Sequence, residues 1–185
     1  MKINLSIIVP VYNAKKTLVS CLSSINNQIL KSNLSIEVLI IIDDGKKYEN
    51  IIPKMKKGIQ VRILKTQGIK TGPGNARNVG IKKAKGMYIG FLDADDEWSK
   101  NYLQNMYNLV KINNLAFAPT RIYRNKKLVN EFKGPDKDYI SIGDIGEVPC
   151  SFHPFVKREQ QGEFWKQRSQ DVYNTANLIN KNNKK

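Results

Sequence analysis

Met87-Tyr88-Ile89-Gly90-Phe91-Leu92-Asp93-Ala94-Asp95-Asp96 is an apolar run that stops abruptly in three carboxylates. Its apolar part is too short for a helix, so it reads as a buried strand with its acids at the carboxyl end. The same pattern stands upstream. Leu5 to Val9 leads into Pro10-Val11-Tyr12-Asn13, Ile36 to Ile42 leads into Asp43-Asp44-Gly45, and Gln60 to Leu64 makes a further strand. Between these runs the spacing turns helical. Leu18, Leu22, Ile25 and Ile29 predict an amphipathic helix over 15–30. A poorer helical segment is broken at Pro53. Pro73 stands where a helix begins, Ala76, Val79, Gly80 and Ala84 give that helix a thin apolar face, and Gly86 is placed to end it. After the acids, Ser99 is placed to cap a helix carrying Leu103, Met106, Tyr107 and Val110 on one face. Strands alternating with helices predict an α/β fold, a Rossmann-like, mostly parallel sheet with helices on both faces. Ligands bind such sheets at the carboxyl ends of the strands, where the acids lie.

Downstream the pattern loosens. Leu115 to Tyr123 and Leu128 to Phe132 read as strands around a turn at Asn125, and a last helix from Gln170 is expected to turn Val172, Ala176 and Ile179 inward. Asn180 to Lys185 reads as a polar, basic end that frays. With 185 residues and no repeat or linker, residues 1–180 are expected to form a single domain, followed by a basic tail at 181–185. No run approaches the length of a transmembrane helix, and Met1 to Val11 lacks a signal-peptide cleavage pattern. Cys21 and Cys150 form no framework and fit reduced thiols, which predicts a cytoplasmic protein. A net charge of +15 attracts polyanions, yet lysine, asparagine and isoleucine fill more than a third of the chain, so a compositional origin of the charge stands beside a functional one.

Two acidic clusters at one sheet mouth crowd like charges, an arrangement that calls for a cation or a polar ligand. Asp93-Ala94-Asp95 offers oxygen ligation suited to Mn²⁺ or Mg²⁺ holding diphosphate oxygens. Gly72-Pro73-Gly74-Asn75-Ala76-Arg77-Asn78 is no dinucleotide fingerprint, but it brings a helix N-terminus and a guanidinium to the same mouth.

Taken together, Ser6 to Asn13, Val38 to Gly45, Gly72 to Gly80 and Gly90 to Asp96 resemble the successive motifs of the family 2 glycosyltransferases, nucleotide-sugar enzymes of the GT-A fold. The match covers residues 3–112, and Gln170-Asp171-Val172-Tyr173 resembles the family's Glu-Asp motif at a helix start. The resemblance implies that Pro10 and Tyr12 line the nucleoside pocket and that Asp43 or Asp44 reads a uracil ring. It implies that Arg77 holds base and diphosphate, that Asp93 contacts the ribose, and that Asp95 ligates the metal. Asp171 becomes the general base of an inverting transfer from a nucleotide-sugar donor, a UDP-sugar, to a carbohydrate or lipid-linked saccharide acceptor. On this reading 1–112 forms the nucleotide-sugar part and 113–180 the acceptor and base part. Trp98 is either an acceptor-stacking ring or a buried anchor. His153 is read as structural rather than as a metal ligand. The basic tail of Lys181, Lys184 and Lys185 is a solvated end or a peripheral contact with the inner face of an anionic membrane.

The chain departs from the family pattern at Lys46-Lys47, where a hydroxyl residue and an aspartate are usual, and at Gln170, which replaces a glutamate. These departures keep open a degenerate domain that binds nucleotide-sugar without turnover. A haloacid dehalogenase-type phosphohydrolase would carry its Asp-x-Asp on the first strand, not the fourth. The acidic mouth opposes a nucleic-acid partner.

Overall fold

The computed structural model describes residues 2–30, 33–135, 139–145, 153–165 and 169–182. Strand β1 (Leu5–Val11) leads to helix α1 (Leu18–Asn26), then β2 (Ile36–Ile42), β3 (Ile59–Lys65), α2 (Pro73–Lys83), β4 (Tyr88–Phe91) and α3 (Tyr102–Asn113). After these come β5 (Leu115–Ala116), β6 (Thr120–Arg124), β7 (Lys127–Phe132), the short α4 (Ile142–Ile145), β8 (Phe155–Lys157) and α5 (Gln170–Asn182).

Six strands form the main sheet in the order β3-β2-β1-β4-β8-β5, and β6 pairs with β7 separately. The pairs β1–β2, β1–β4 and β2–β3 are parallel, while β8 is antiparallel to both β4 and β5. All seven residues of β2 are buried, as a central parallel strand covered on both faces requires. Alternation then divides the apolar side chains. Leu5, Ile7, Val9 and Val11 pack with Leu18, Leu22 and Ile25 of α1 and Leu103, Met106 and Val110 of α3. Ile8, Leu39 and Ile41 pack on the other face with Ala76 of α2 and Leu178 of α5. The mostly parallel three-layer α/β/α arrangement expected from the sequence is therefore present.

Several local expectations are corrected. Helix α1 is shorter than 15–30, because Gln28 leaves it to serve α3 and Ile29 is exposed, its N–H bonding to the Lys100 carbonyl. No full helix forms before Pro53. Only a 3-10 turn at Glu49–Ile51 does, beside the buried ring of Tyr48. Ser99 does not cap α3. Gln28 does, with Oε1 accepting from Leu103 N (2.8 Å) and Nε2 donating to Ser99 O (2.8 Å) and Ser24 O (2.9 Å).

Helix α2 stops at Lys83, before Gly86, which is needed for a different reason. A Cβ there would come within 2.5 Å of the Ser6 nitrogen. In α5 the inward stripe is Gln170, Asn174, Thr175, Leu178 and Ile179, and Val172 faces water. That helix extends to Asn182, so Lys181 belongs to its last turn and not to a frayed tail. Lys184, Lys185 and Cys150 lie outside the described residues, and Cys21 is a buried free thiol.

A buried polar cluster that the sequence did not suggest closes the amino edge of the sheet. Glu37 Oε1 accepts from Ser6 Oγ (2.6 Å) and Lys85 N (2.5 Å), and Oε2 accepts from Arg62 Nη1 (2.7 Å). Burial would raise its carboxyl, but these donors, Ser6 first, outweigh it and lower it below the ordinary glutamate value.

Candidate active site

A cavity of about 830 Å³ opens at the carboxyl ends of β1, β2 and β4. Pro10 and Tyr12 come to it from the end of β1, Asp43 from β2, Gly72 to Arg77 from the start of α2, and Asp93 and Asp95 from beyond β4. A further part of its wall comes from far along the chain, from Trp165, Ser169, Gln170 and Asp171. Of the residues singled out in the sequence, Pro10, Tyr12, Asp43, Arg77, Asp93, Asp95 and Asp171 thus line one space. Asp44 and Trp98 do not.

The Asp43-Asp44 pair divides its work. Asp43 Oδ1 accepts from Thr66 Oγ1 (2.8 Å), Thr71 N (3.0 Å) and Thr71 Oγ1 (2.6 Å), and Oδ2 accepts from Gly72 N (2.9 Å). It therefore fixes the loop that delivers α2. Asp44 Oδ2 accepts from Asn13 N (2.8 Å) and Tyr48 Oη (2.7 Å), and its Oδ1 accepts from Lys46 N (2.9 Å). It holds the β1–α1 turn, in which Asn13 takes a left-handed φ of 53°. Burial opposes ionisation of both acids, but the hydrogen bonds prevail, and both carboxyls fall below the ordinary aspartate value. Lys46, one of the departures from the family pattern, is engaged here too, donating from Nζ to Asn13 Oδ1 (2.5 Å).

Arg77 is only 3% exposed. Its Nη2 donates to Asp93 Oδ1 (2.5 Å) and lies 2.9 Å from His153 Nε2, and its guanidinium sits 5.3 Å from the centre of the Phe164 ring. Its Nε is buried without a partner. Burial alone would raise Asp93, but the His153 ring and the Arg77 charge hold it well below the carboxylate range. Asp96 shows the opposite. Desolvation, then the charges of Asp93 and Asp95, push its carboxyl up to about 6. Asp95 is exposed at the mouth. Among the described residues no three His, Cys, Asp or Glu side chains gather as a protein-only metal cage. The donor set fits a hard divalent ion held by one carboxylate and completed by diphosphate oxygens and water, as magnesium sites commonly are.

The late segment is carried to the mouth by α2. Asn78 Nδ2 donates to Phe164 O (2.9 Å) and Oδ1 accepts from Phe164 N (2.7 Å), a two-point clamp that places Trp165 and the start of α5. Gly74 permits the contact, since a Cβ there would sit 1.9 Å from Gln170 Oε1 and 2.7 Å from the Trp165 carbonyl. Gln170 Oε1 is buried without a partner. Trp165 is half exposed and stacks on Tyr173 with ring centres 4.4 Å apart. The other tryptophan, Trp98, stacks on Tyr102 (4.6 Å) and leans on Phe155 (5.6 Å), so it anchors the β4–α3 connection. Sequence reasoning gave no role to Thr71, Asn78 or Trp165. The signal for Asn78 was its place one residue after Arg77. His153, read from the sequence as structural, lies 2.9 Å from Arg77 Nη2 and 3.7 Å from Asp93 Oδ2, within the site.

The model of the family described as glycosyl transferase family 2 matches residues 6–182. The amylovoran biosynthesis glycosyltransferase AmsB of Erwinia amylovora is 34% identical over 113 residues, 59% of this chain and 36% of its own. The Escherichia coli protein WfgD, named as a UDP-Glc:alpha-D-GlcNAc-diphosphoundecaprenol beta-1,3-glucosyltransferase, is 34% identical over 135 residues, 71% of this chain and 51% of its own. The crystal structure of S. aureus TarS in complex with UDP superposes with a TM-score of 0.78 at 20% identity, over 96% of this chain and 55% of that one. The chain thus spans about half or less of these proteins' lengths, and at that identity the TarS likeness speaks for the fold alone.

Proposed function

Because the chain belongs to glycosyl transferase family 2, we propose that it moves a sugar from a UDP-sugar to a hydroxyl of a lipid-linked saccharide, with inversion at the anomeric carbon. The observation that carries this reading is the meeting of Asp93 and Asp95 with Asp171 at one cavity, although nearly eighty residues separate them in the chain. Residues 1–112 supply the donor side. Pro10 and Tyr12 flank the base, Asp43 presents its edge to the uracil, and Asp93 meets the ribose while Arg77 keeps it oriented. Residues 113–180 supply the acceptor side, with Trp165 in place of Trp98 as the aromatic wall against a sugar ring.

The acceptor oxygen attacks the anomeric carbon, the bond from that carbon to the diphosphate oxygen breaks, and the acceptor proton passes to the Asp171 carboxylate. Asp95 would hold Mn²⁺ or Mg²⁺, which when bound offsets the charge of the departing diphosphate. Helix α2 points its N-terminus, with free backbone N–H groups, into the same space. Among the described residues no helix is long and apolar enough to cross a membrane.

Asp171→Asn tests the reading. It keeps the side-chain shape and removes the base, so transfer should fall by roughly 10²–10⁴ while UDP affinity by calorimetry stays level. Equal transfer rates in variant and wild type would remove Asp171 as the base. A wild type that binds UDP-sugar but transfers to no acceptor would leave a binding domain without turnover.

A further inference from the structure

Strand β5 is antiparallel to β8, and β8 is antiparallel to β4, so β5 runs in the direction of the parallel strands. The chain leaving Ala116 therefore emerges on the edge of the sheet that carries the cavity. After three intervening residues it enters the β6–β7 hairpin, which forms a sheet of its own. At the hairpin tip Asn125 and Lys126 take φ of 50° and 64°, the left-handed pair of a tight two-residue turn. Just behind the tip, Tyr123 pairs with Leu128, and the register shift after Ile122 leaves Val129 as the extra residue. These three are 58%, 51% and 54% exposed. The tip itself is basic, with Arg124, Lys126 and Lys127. Glu131 is the one acid between Thr120 and Lys133, and Arg121 Nε already holds it at 2.6 Å. Exposed apolar side chains beside uncompensated cations match the two layers of an anionic lipid surface, phosphates outside and acyl chains beneath. A second copy of the chain would bring like charges together, and a nucleic acid would leave the apolar side chains unused.

We propose that the β6–β7 hairpin docks the protein on an anionic bilayer, with Arg124, Lys126 and Lys127 at the lipid phosphates and Tyr123, Leu128 and Val129 at the interface. The inference rests on the reading of the acceptor as lipid-linked, and the chain leaves the main sheet for the hairpin at the edge that carries the cavity.

Sedimentation of the chain with phosphatidylcholine vesicles, with and without phosphatidylglycerol, tests it. Wild type should bind the phosphatidylglycerol vesicles and release as salt rises from low to physiological. The variant Arg124→Glu/Lys126→Glu/Lys127→Glu should lose roughly a hundredfold or more in partitioning. Leu128→Ser/Val129→Ser should weaken the binding that survives at physiological salt. Both variants should keep the wild-type unfolding midpoint and UDP affinity, which establishes that they fold. Absence of wild-type binding, or full binding by the folded charge variant, overturns the proposal. So does a dimer that the Leu128→Ser/Val129→Ser variant dissociates, or duplex DNA binding in place of vesicle binding. Vesicle binding through the hairpin without UDP binding would break the glycosyltransferase reading and leave the docking surface standing.

Discussion

Strands β2 and β8 lie in the same sheet and are held in opposite ways. β2 is seven residues long, buried throughout, and paired along its whole length on both sides. β8 has three residues and touches β4 and β5 through two paired positions each. The side chains they deliver differ likewise. Asp43, at the end of β2, has both oxygens occupied by loop donors before any ligand arrives. Beyond β8, Trp165 and Asp171 reach the same cavity through the Asn78 clamp and the Gly74 contact. On the proposed reading, the contrast separates a preorganised donor side from an acceptor wall fastened at a few points. Binding a nucleotide gains from the first, because little ordering cost remains. Accommodating different acceptors gains from the second.

The comparison breaks most severely at Glu37, on the rigid side. Glu37→Ala leaves Ser6 Oγ and Lys85 N without their acceptor and Arg62 without its charge partner, and should cost roughly 3 kcal/mol in denaturant unfolding. Its lowered carboxyl value gives a pH signature. The folded state holds its proton less tightly than the unfolded one, so the stabilisation is present above about 4.5 and is lost as pH falls through the folded value. Unfolding free energy of wild type should decline in that acid range, and Glu37→Gln, less stable at neutral pH, should show a flatter decline.

Asn78→Ala tests the fastening itself. The Phe164 N–H and carbonyl lose their partner, at about 2 kcal/mol, and the acceptor wall loosens. UDP affinity should fall less than the transfer rate, and equal losses would mean that the two sides are not mechanically distinct. A smaller effect is expected at Asp95. In wild type Mn²⁺ should tighten UDP binding by roughly tenfold, and Asp95→Ala should erase that gain while leaving metal-free binding in place. Undiminished metal dependence in the variant would place the ion elsewhere.

How far each side could be read in the sequence follows the same division. Continuous apolar runs such as Ile36 to Ile42 and a proline at a helix start such as Pro73 are local signals, and they announced the strands, α2 and the mouth where Asp43, Asp93 and Asp95 meet. The Gln170-Asp171 stretch predicts a helix start, and α5 begins at Gln170. β8 was not legible. Three residues carry no periodicity, and their partners lie some forty to seventy positions away. Of the two readings of Trp98, acceptor ring or buried anchor, its contacts are those of an anchor. Trp98 follows the acidic cluster in sequence, but the chain turns it onto Tyr102 and Phe155, while Trp165 arrives through backbone bonds to Asn78. Ser99 has the chemistry of a cap, but Gln28 occupies the place.

Gln28 also bears on the order in which the molecule assembles. Its side chain closes the end of α1 and the start of α3 together, across a separation of 75 positions in the chain. The first turn of α3 therefore gains its acceptor only once α1 has docked, so helix formation there follows a long-range encounter and does not nucleate it. The amide proton of Leu103 becomes a reporter of α1. When α1 detaches from the sheet, even briefly, that proton exchanges with solvent, and its exchange rate measures the opening of a helix in another part of the sequence.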